Sequence, residues 1–217
     1  MGLGLPMNNG GADRPSIIKY DGRAGRIHRI DRSNASGEWV TNEVEITKDF
    51  QAVMDLENIE TGWLSFPAGG APDIQTVKIG GTMPDRPSDK HKSGFRLLMK
   101  LGKSCGGDVR EMASNAQVSI KGMDALYDAY LKDAGANAGK LPVVTLDDTL
   151  QVKSSGKDKD GKPQSSTNYQ PVWKIVSWID RPAELGGAAS AAPAEPAKAD
   201  PPKQEPAKEL ASVGEEF

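Results

Sequence analysis

Cysteine is almost missing from these 217 residues. Cys105 stands alone, so no intramolecular disulfide can form and a reducing compartment is the expected setting. Long apolar runs are missing as well: nothing approaches the roughly 20 residues that span a bilayer. The first residues also lack the charged and apolar regions of a signal peptide. The cytoplasm is the expected location, with no membrane partner. No internal repeat of fixed period shows. The two histidines, His28 and His91, have no Cys or carboxylate at metal-ligand spacing, and Cys105 lies in Gly102-Lys-Ser-Cys-Gly-Gly107 without a paired His signature. Asp158-Lys-Asp160-Gly161 lacks the first ligand and the closing Glu of a calcium loop. Gly69-Gly70 and Gly80-Gly81 lack the lysine and helix start of a phosphate cradle. Asp147-Asp148 with Asp160-Gly-Lys162 mimics part of a nuclease motif, but a polar lysine loop is no rigid catalytic strand. The expectation is a protein that is not an enzyme, with no catalytic residue, no metal and no cofactor.

What is present begins with an uneven charge. The overall −3 divides into a slightly positive body and a tail: residues 1–182 hold 24 Lys/Arg against 23 Asp/Glu, and residues 183–217 hold 3 against 7. Within the body the cations cluster. Arg14, Lys19, Arg23, Arg26, Arg29 and Arg32 face only Asp21 and Asp31. Lys78, Arg86, Lys90, Lys92, Arg96, Lys100 and Lys103 face only Asp85 and Asp89. Local positive stripes on a near-neutral body suit an anionic ligand that follows a backbone, although a solvated face carries the same composition.

Short runs with period-two alternation, separated by Gly, Pro, Asn and Asp, predict strands at 16–20, 25–31, 38–47, 61–66, 73–79, 94–101, 143–152 and 170–180. The clearest is Phe95-Arg-Leu-Leu-Met-Lys-Leu101, which puts Phe95, Leu97, Met99 and Leu101 on one face. From Val109 to Asp133 the apolar spacing changes to three and four, which predicts a helix. Gly122 weakens it, Ser114-Asn115 offers a split into a turn plus a helix, and Gly135 offers a stop. A helix late in a strand-rich chain, followed by two strands, has the order of an oligonucleotide-binding (OB) barrel: three strands, helix, two strands. The expected fold is mainly β: an OB-like, partly open barrel with extra strands on its N-terminal side, one main helix before the last two strands, and a disordered C-terminal tail. Expected boundaries are a flexible 1–13, a domain at 14–182 and a tail at 183–217.

Lys153 to Thr167 is polar and carries Lys153, Lys157, Lys159 and Lys162, which predicts a mobile loop between the last two strands. In an OB barrel that loop closes over an oligonucleotide. Single-stranded nucleic acid is held by cations along its phosphates and by aromatic faces against its bases. Arg26, Arg29, Lys78, Arg96 and Lys100 supply charge on strands, and Lys157 and Lys159 supply it on the loop. Tyr20, Trp39, Trp63, Phe66, Tyr169, Trp173 and Trp178 are stacking candidates, most of them core by their size. Alternation in the last strand puts Trp173, Ile175 and Ile179 on the apolar face, leaving Lys174 and Trp178 for ligand. Trp63 follows Gly62 at a strand start, where close backbone approach can expose it.

The tail from 183 is dominated by Ala, Pro, Glu and Lys, a composition that stays disordered. It ends in Glu215, Glu216 and Phe217, two charges and a ring that form a small bipartite anchor for a basic, apolar pocket on a partner. With the β-rich body, its one helix and the Ala/Pro linker, the tip Gly214-Glu-Glu-Phe217 resembles phage-type single-stranded DNA-binding proteins, while Glu60-Thr-Gly-Trp-Leu-Ser-Phe66 and Pro171-Val-Trp-Lys-Ile-Val-Ser-Trp-Ile-Asp-Arg-Pro182 resemble stretches of phage proteins more generally. The resemblance implies sequence-independent binding of single-stranded DNA in replication or recombination, inside the bacterial host cytoplasm. It also implies that the tip recruits replication or recombination enzymes, while the negative tail competes with DNA for a cationic groove. A homo-oligomer is allowed. The tip departs from the pattern in having two acids rather than a longer acidic run. The alternative is a phage structural or assembly protein whose β domain makes subunit contacts and whose tail is a tether.

Overall fold

The computed structural model describes residues 16–33, 37, 40–157 and 161–186. Among them are ten strands: β1 (Ser16–Asp21), β2 (Arg26–Ser33), β3 (Val40–Glu45), β4 (Gln51–Met54), β5 (Glu60–Ser65), β6 (Asp73–Lys78), β7 (Lys92–Leu101), β8 (Val109–Ser114), β9 (Lys140–Lys157) and β10 (Pro163–Asp180). One main helix, α1 (Gln117–Ala134), precedes the last two strands and runs on into a single 3-10 turn at Gly135–Asn137. The expected fold class is the observed one. The sheet order is β10-β9-β4-β7-β8-β1-β2-β3, with the β5–β6 hairpin on the free first half of β7. Within it, β4, β7, β8, α1, β9 and β10 give the OB-like sequence of three strands, helix and two strands. β1 to β3 are the N-terminal extras, and β1 runs parallel to β8.

The sheet curls until β10 meets the end of β1 and the turn that follows it. The Tyr169 amide of β10 donates to the Gly22 carbonyl after β1, at 2.6 Å. The Tyr20 hydroxyl donates to the Tyr169 carbonyl at 2.9 Å. Inside the curl lies the main core, where alternation delivers Phe95, Leu97, Met99 and Leu101 from β7 and helical spacing delivers Met123, Leu126 and Tyr130 from α1.

Several local expectations are corrected. The predicted helix begins late because Val109–Ser114 is a strand: Arg110 and Met112 alternate into buried positions, and the Ser114 hydroxyl accepts from the Ala116 amide and turns the chain. β4 carried no strand signal, since Ala52, Val53 and Met54 are all buried and show no alternation. The expected loop at 153–167 is mostly ladder: β9 continues to Lys157, and β10 begins at Pro163. Hydroxyl side chains tolerate such pairing, and Ser154 and Ser166 bond across it at 2.7 Å. The domain does not stop at 182. Arg181 to Gly186 folds back, and Leu185 is buried in a second apolar cluster with Val53, Leu141 and Val143. Residues 1–13 and the tail beyond Gly186 lie outside the described residues.

Gly122 is the glycine the helix needs. A Cβ there would stand 2.6 Å from both Cγ and the carbonyl oxygen of Pro171, so its absence lets α1 lie directly on β10. Gly122→Ala should therefore lower the stability by about 1–3 kcal/mol of overpacking strain, and with it the melting temperature, despite alanine's better helix propensity. A variant as stable as the parent in thermal melts would contradict this contact. Tyr20 gives a pH dependence. Burial first, and the Asp21 charge second, push its hydroxyl up to about 12. An unfolded tyrosine titrates near 10. The folded state thus keeps its proton longer, and this part of the stability is whole below about pH 10 and lost as pH rises toward about 12. Alkaline melts should show that decline, and Tyr20→Phe should flatten it.

Candidate nucleic-acid interface

The outward side chains of β7 were the expected cationic stripe. Arg96 does face outward, but Glu111 of β8 meets it at 2.8 Å through Nε and 2.7 Å through Nη2, and Glu60 of β5 lies 3.5 Å from Nη1. The Glu111 hydrogen bond is the main reason that the guanidinium holds its proton even more firmly than usual. Lys100 is ion-paired with Glu184. Arg26 pairs with Glu45 at 2.9 Å, and the exposed Lys174 pairs with Asp147 at 3.5 Å. Arg29 is structural: its Nε donates to Asp31, and its Nη1 to the Cys105 carbonyl at 3.0 Å. Asp31 is also held by the buried Arg110. Burial opposes its charge, but the Arg110 and Arg29 hydrogen bonds prevail and keep its carboxyl low. The same turn buries Cys105, whose thiol donates to the Asp49 carbonyl at 2.9 Å. A paired cation reaches a phosphate only by giving up its partner, so these five offer less than their number suggests.

The aromatic expectations divide. Trp63 donates from Nε1 to the Pro84 carbonyl at 2.8 Å, and Arg86 lies 5.7 Å from its ring. Arg86 is itself bound to the carbonyls of Asp89 and His91. His91 is buried between Ser88 at 2.8 Å and Asp73 at 3.0 Å, locking the turn beside it. Trp178 stacks on Tyr130 of α1 at 5.6 Å. Strict alternation misplaces it because a bulge between Ile175 and Ser177 reverses the faces, leaving Val176 and Ile179 exposed. Trp173 packs against Tyr20 and Phe50 in the core. Lys78 is exposed, with no ion pair among the described residues. The Lys157 side chain, Lys159, Trp39, Arg14 and the tip Glu215, Glu216 and Phe217 lie outside the described residues.

The outward face of β4, β7 and β9 is also covered by the strap that follows β10. Arg181 forms a two-point pair with Asp55, at 2.7 and 2.9 Å, and reaches Glu57 at 2.6 Å. Leu185 fills the apolar patch beneath, and Glu184 closes on Lys100.

What stays open is the outer half of the β9–β10 ribbon and the turn braced against its root. Ser154, Ser155, Ser165, Ser166 and Thr167 are exposed, as are Lys153 and Lys162. Asp21 builds the turn: its carboxylate accepts from the amides of Arg23 and Ala24, and the Arg23 bond is the largest reason that its pKa is lowered. Arg23 is exposed, and neither it nor Lys153 has an ion pair among the described residues. Lys153, Tyr169 and Arg23 were all legible as cations or rings, but that Arg23 stands beside the ribbon depends on a contact between positions 22 and 169 that no local pattern announces.

An apolar cleft of about 240 Å³ lies elsewhere, between α1 (Ile120, Met123, Tyr127), Phe95 of β7 and the Ile79–Met83 segment. Among the described residues no group of three or more His, Cys, Asp or Glu is placed to hold a metal. No described helix is long and apolar enough to cross a membrane. No protein-family model matches this chain, nor does any curated protein or solved structure.

The Asp55–Arg181 pair is nearly sealed, with side chains 4% and 10% exposed. Asp55→Asn should cost about 3–5 kcal/mol, as losing one partner of a buried pair does. Chemical denaturation measures it, and a loss below about 1 kcal/mol would mean that Leu185, the Arg181–Glu57 pair and the Glu184–Lys100 pair hold the strap without Asp55.

Proposed function

We propose that the protein binds single-stranded nucleic acid, DNA in the first place, through its backbone and without sequence preference, as a non-catalytic binding protein. The observation that carries this reading is the ribbon. Two strands of 18 residues extend from an OB-like strand order at the connection which, in that order, closes over an oligonucleotide. The outer half is built of Ser, Thr, Gln and Lys, with almost nothing apolar to hold it. A two-stranded ribbon of that kind is marginal alone in water and gains from a polyanion laid along it. The same composition speaks against the assembly-protein alternative, because Lys and Ser are depleted at the centre of subunit interfaces. Recruitment of replication or recombination enzymes by Glu215, Glu216 and Phe217 belongs to the same proposal.

The deciding measurement is fluorescence anisotropy of labelled oligo-dT, oligo-U and duplex across a salt series. Single strands should bind with micromolar or tighter affinity at low salt, and the affinity should fall steeply as salt rises, by about 0.7 in log K per log salt for each phosphate neutralised. Absence of single-strand binding at low salt would reject the function.

A further inference from the structure

We infer that the single strand is gripped at the root of the ribbon, in the corner between the β9–β10 face and the β1–β2 turn. Tyr169 is the stacking ring there, and Arg23 and Lys153 are the phosphate contacts. This rests on the function proposed above and adds a jaw that the barrel strands do not supply.

The register sets one side of the corner. Tyr169 pairs with Gln151 and Thr167 with Lys153, so these four share one face of the ribbon. Lys153 follows Gln151 by two residues, or about 7 Å along the strand, so a cation stands one side-chain step from the ring. The turn sets the other side. Gly25, at φ +68°, lies so close that a Cβ on it would be 3.2 Å from Cβ and 3.3 Å from Cγ of Tyr169, and 3.4 Å from the Thr149 methyl. Arg23 is two residues away, exposed, with its amide fixed by Asp21.

Tyr169 is also the aromatic that this half of the fold does not use. Tyr20, Phe50, Tyr130, Trp173 and Trp178 belong to the main core, and Tyr169 does not. Its amide and carbonyl are both bound, to Gly22 and to the Tyr20 hydroxyl, yet the side chain is only half-buried. A residue fixed at its backbone and still partly exposed loses little freedom when a base stacks on its ring, which favours binding. The two cations nearby are uncommitted, and each neighbouring acid has a partner of its own. Asp21 spends its carboxylate on the turn, Asp147 is paired with Lys174, and Asp148 bonds the Thr149 amide, whereas Arg23 and Lys153 have no ion pair among the described residues.

The test uses the full chain and fluorescein-labelled oligo-dT in a low-salt anisotropy titration repeated over a salt series. Arg23→Ala/Lys153→Ala should weaken binding and lower the salt slope by about 1.4, two phosphate contacts of 0.7 each. Lys132→Ala/Lys140→Ala, which removes equal charge at the far end of β9 and α1, should leave the slope unchanged. Tyr169→Leu should weaken binding roughly tenfold, and Tyr169→Phe should retain it. If the parent binds and the Arg23/Lys153 pair behaves like the control pair, the corner is wrong while the function stands. Equal loss in Tyr169→Phe and Tyr169→Leu would remove stacking. No binding by the parent would overturn both. Both charge variants change exposed side chains, so the comparison survives even if Tyr169→Leu fails to fold.

Discussion

The junction at Tyr169 is the constraint on which the rest depends. A curled sheet with unpaired ends leaves main-chain groups open, and here one amide-to-carbonyl bond to Gly22 and one phenolic bond from Tyr20 join strands nearly 150 residues apart in sequence. That junction sets how far the sheet closes and how much interior α1 must fill. It also sets the direction in which β9 and β10 leave the body. The N-terminal hairpin is already anchored by Ile18 and Ile27 in the core and by Arg110 on Ile30 and Asp31, and the junction adds a tie from its turn to β10. With that tie, the turn lies against the ribbon.

Electrostatics follows the same division between wall and ribbon. Along the sheet, acids from neighbouring strands answer the cations, Glu60 and Glu111 at Arg96 and Glu45 at Arg26, while Asp31 answers Arg29 on its own strand and Arg110 two strands away. A body with 24 cations against 23 acids has little positive charge to spare once these ladders form. Among the described residues, the cations left without an ion pair include Arg23 in the β1–β2 turn and Lys153 at the root of the ribbon, where Thr167, not an acid, stands opposite.

Much of the architecture was legible. The alternation in β7 and the three-and-four spacing of Met123, Leu126 and Tyr130 reflect one-sided burial, and one-sided burial is what periodicity records. β4 was invisible because it is buried throughout, and β8 because Met112 and Ala116 happen to fit a helical spacing as well as a strand followed by a turn. The bulge at Ile175 reversed the reading of Trp178, since one extra residue exchanges the faces of everything beyond it. The ionic partners were the least legible part. Glu184 neutralises Lys100 from 84 residues away, and its composition assigned it to a tail rather than to the fold. Charge clusters in a sequence count the cations but do not say which acids the fold will bring to them.

Cys105 has a practical meaning that reaches past the fold. It is the chain's one thiol, 1% exposed, and engaged with the Asp49 carbonyl beneath a turn that Arg29 ties down. Alkylating dyes will find nothing to attack while that turn stays shut, so a cysteine engineered onto the surface would carry a probe by itself. Slow modification of the natural thiol would in turn act as a clock for local opening of the neck between β7 and β8.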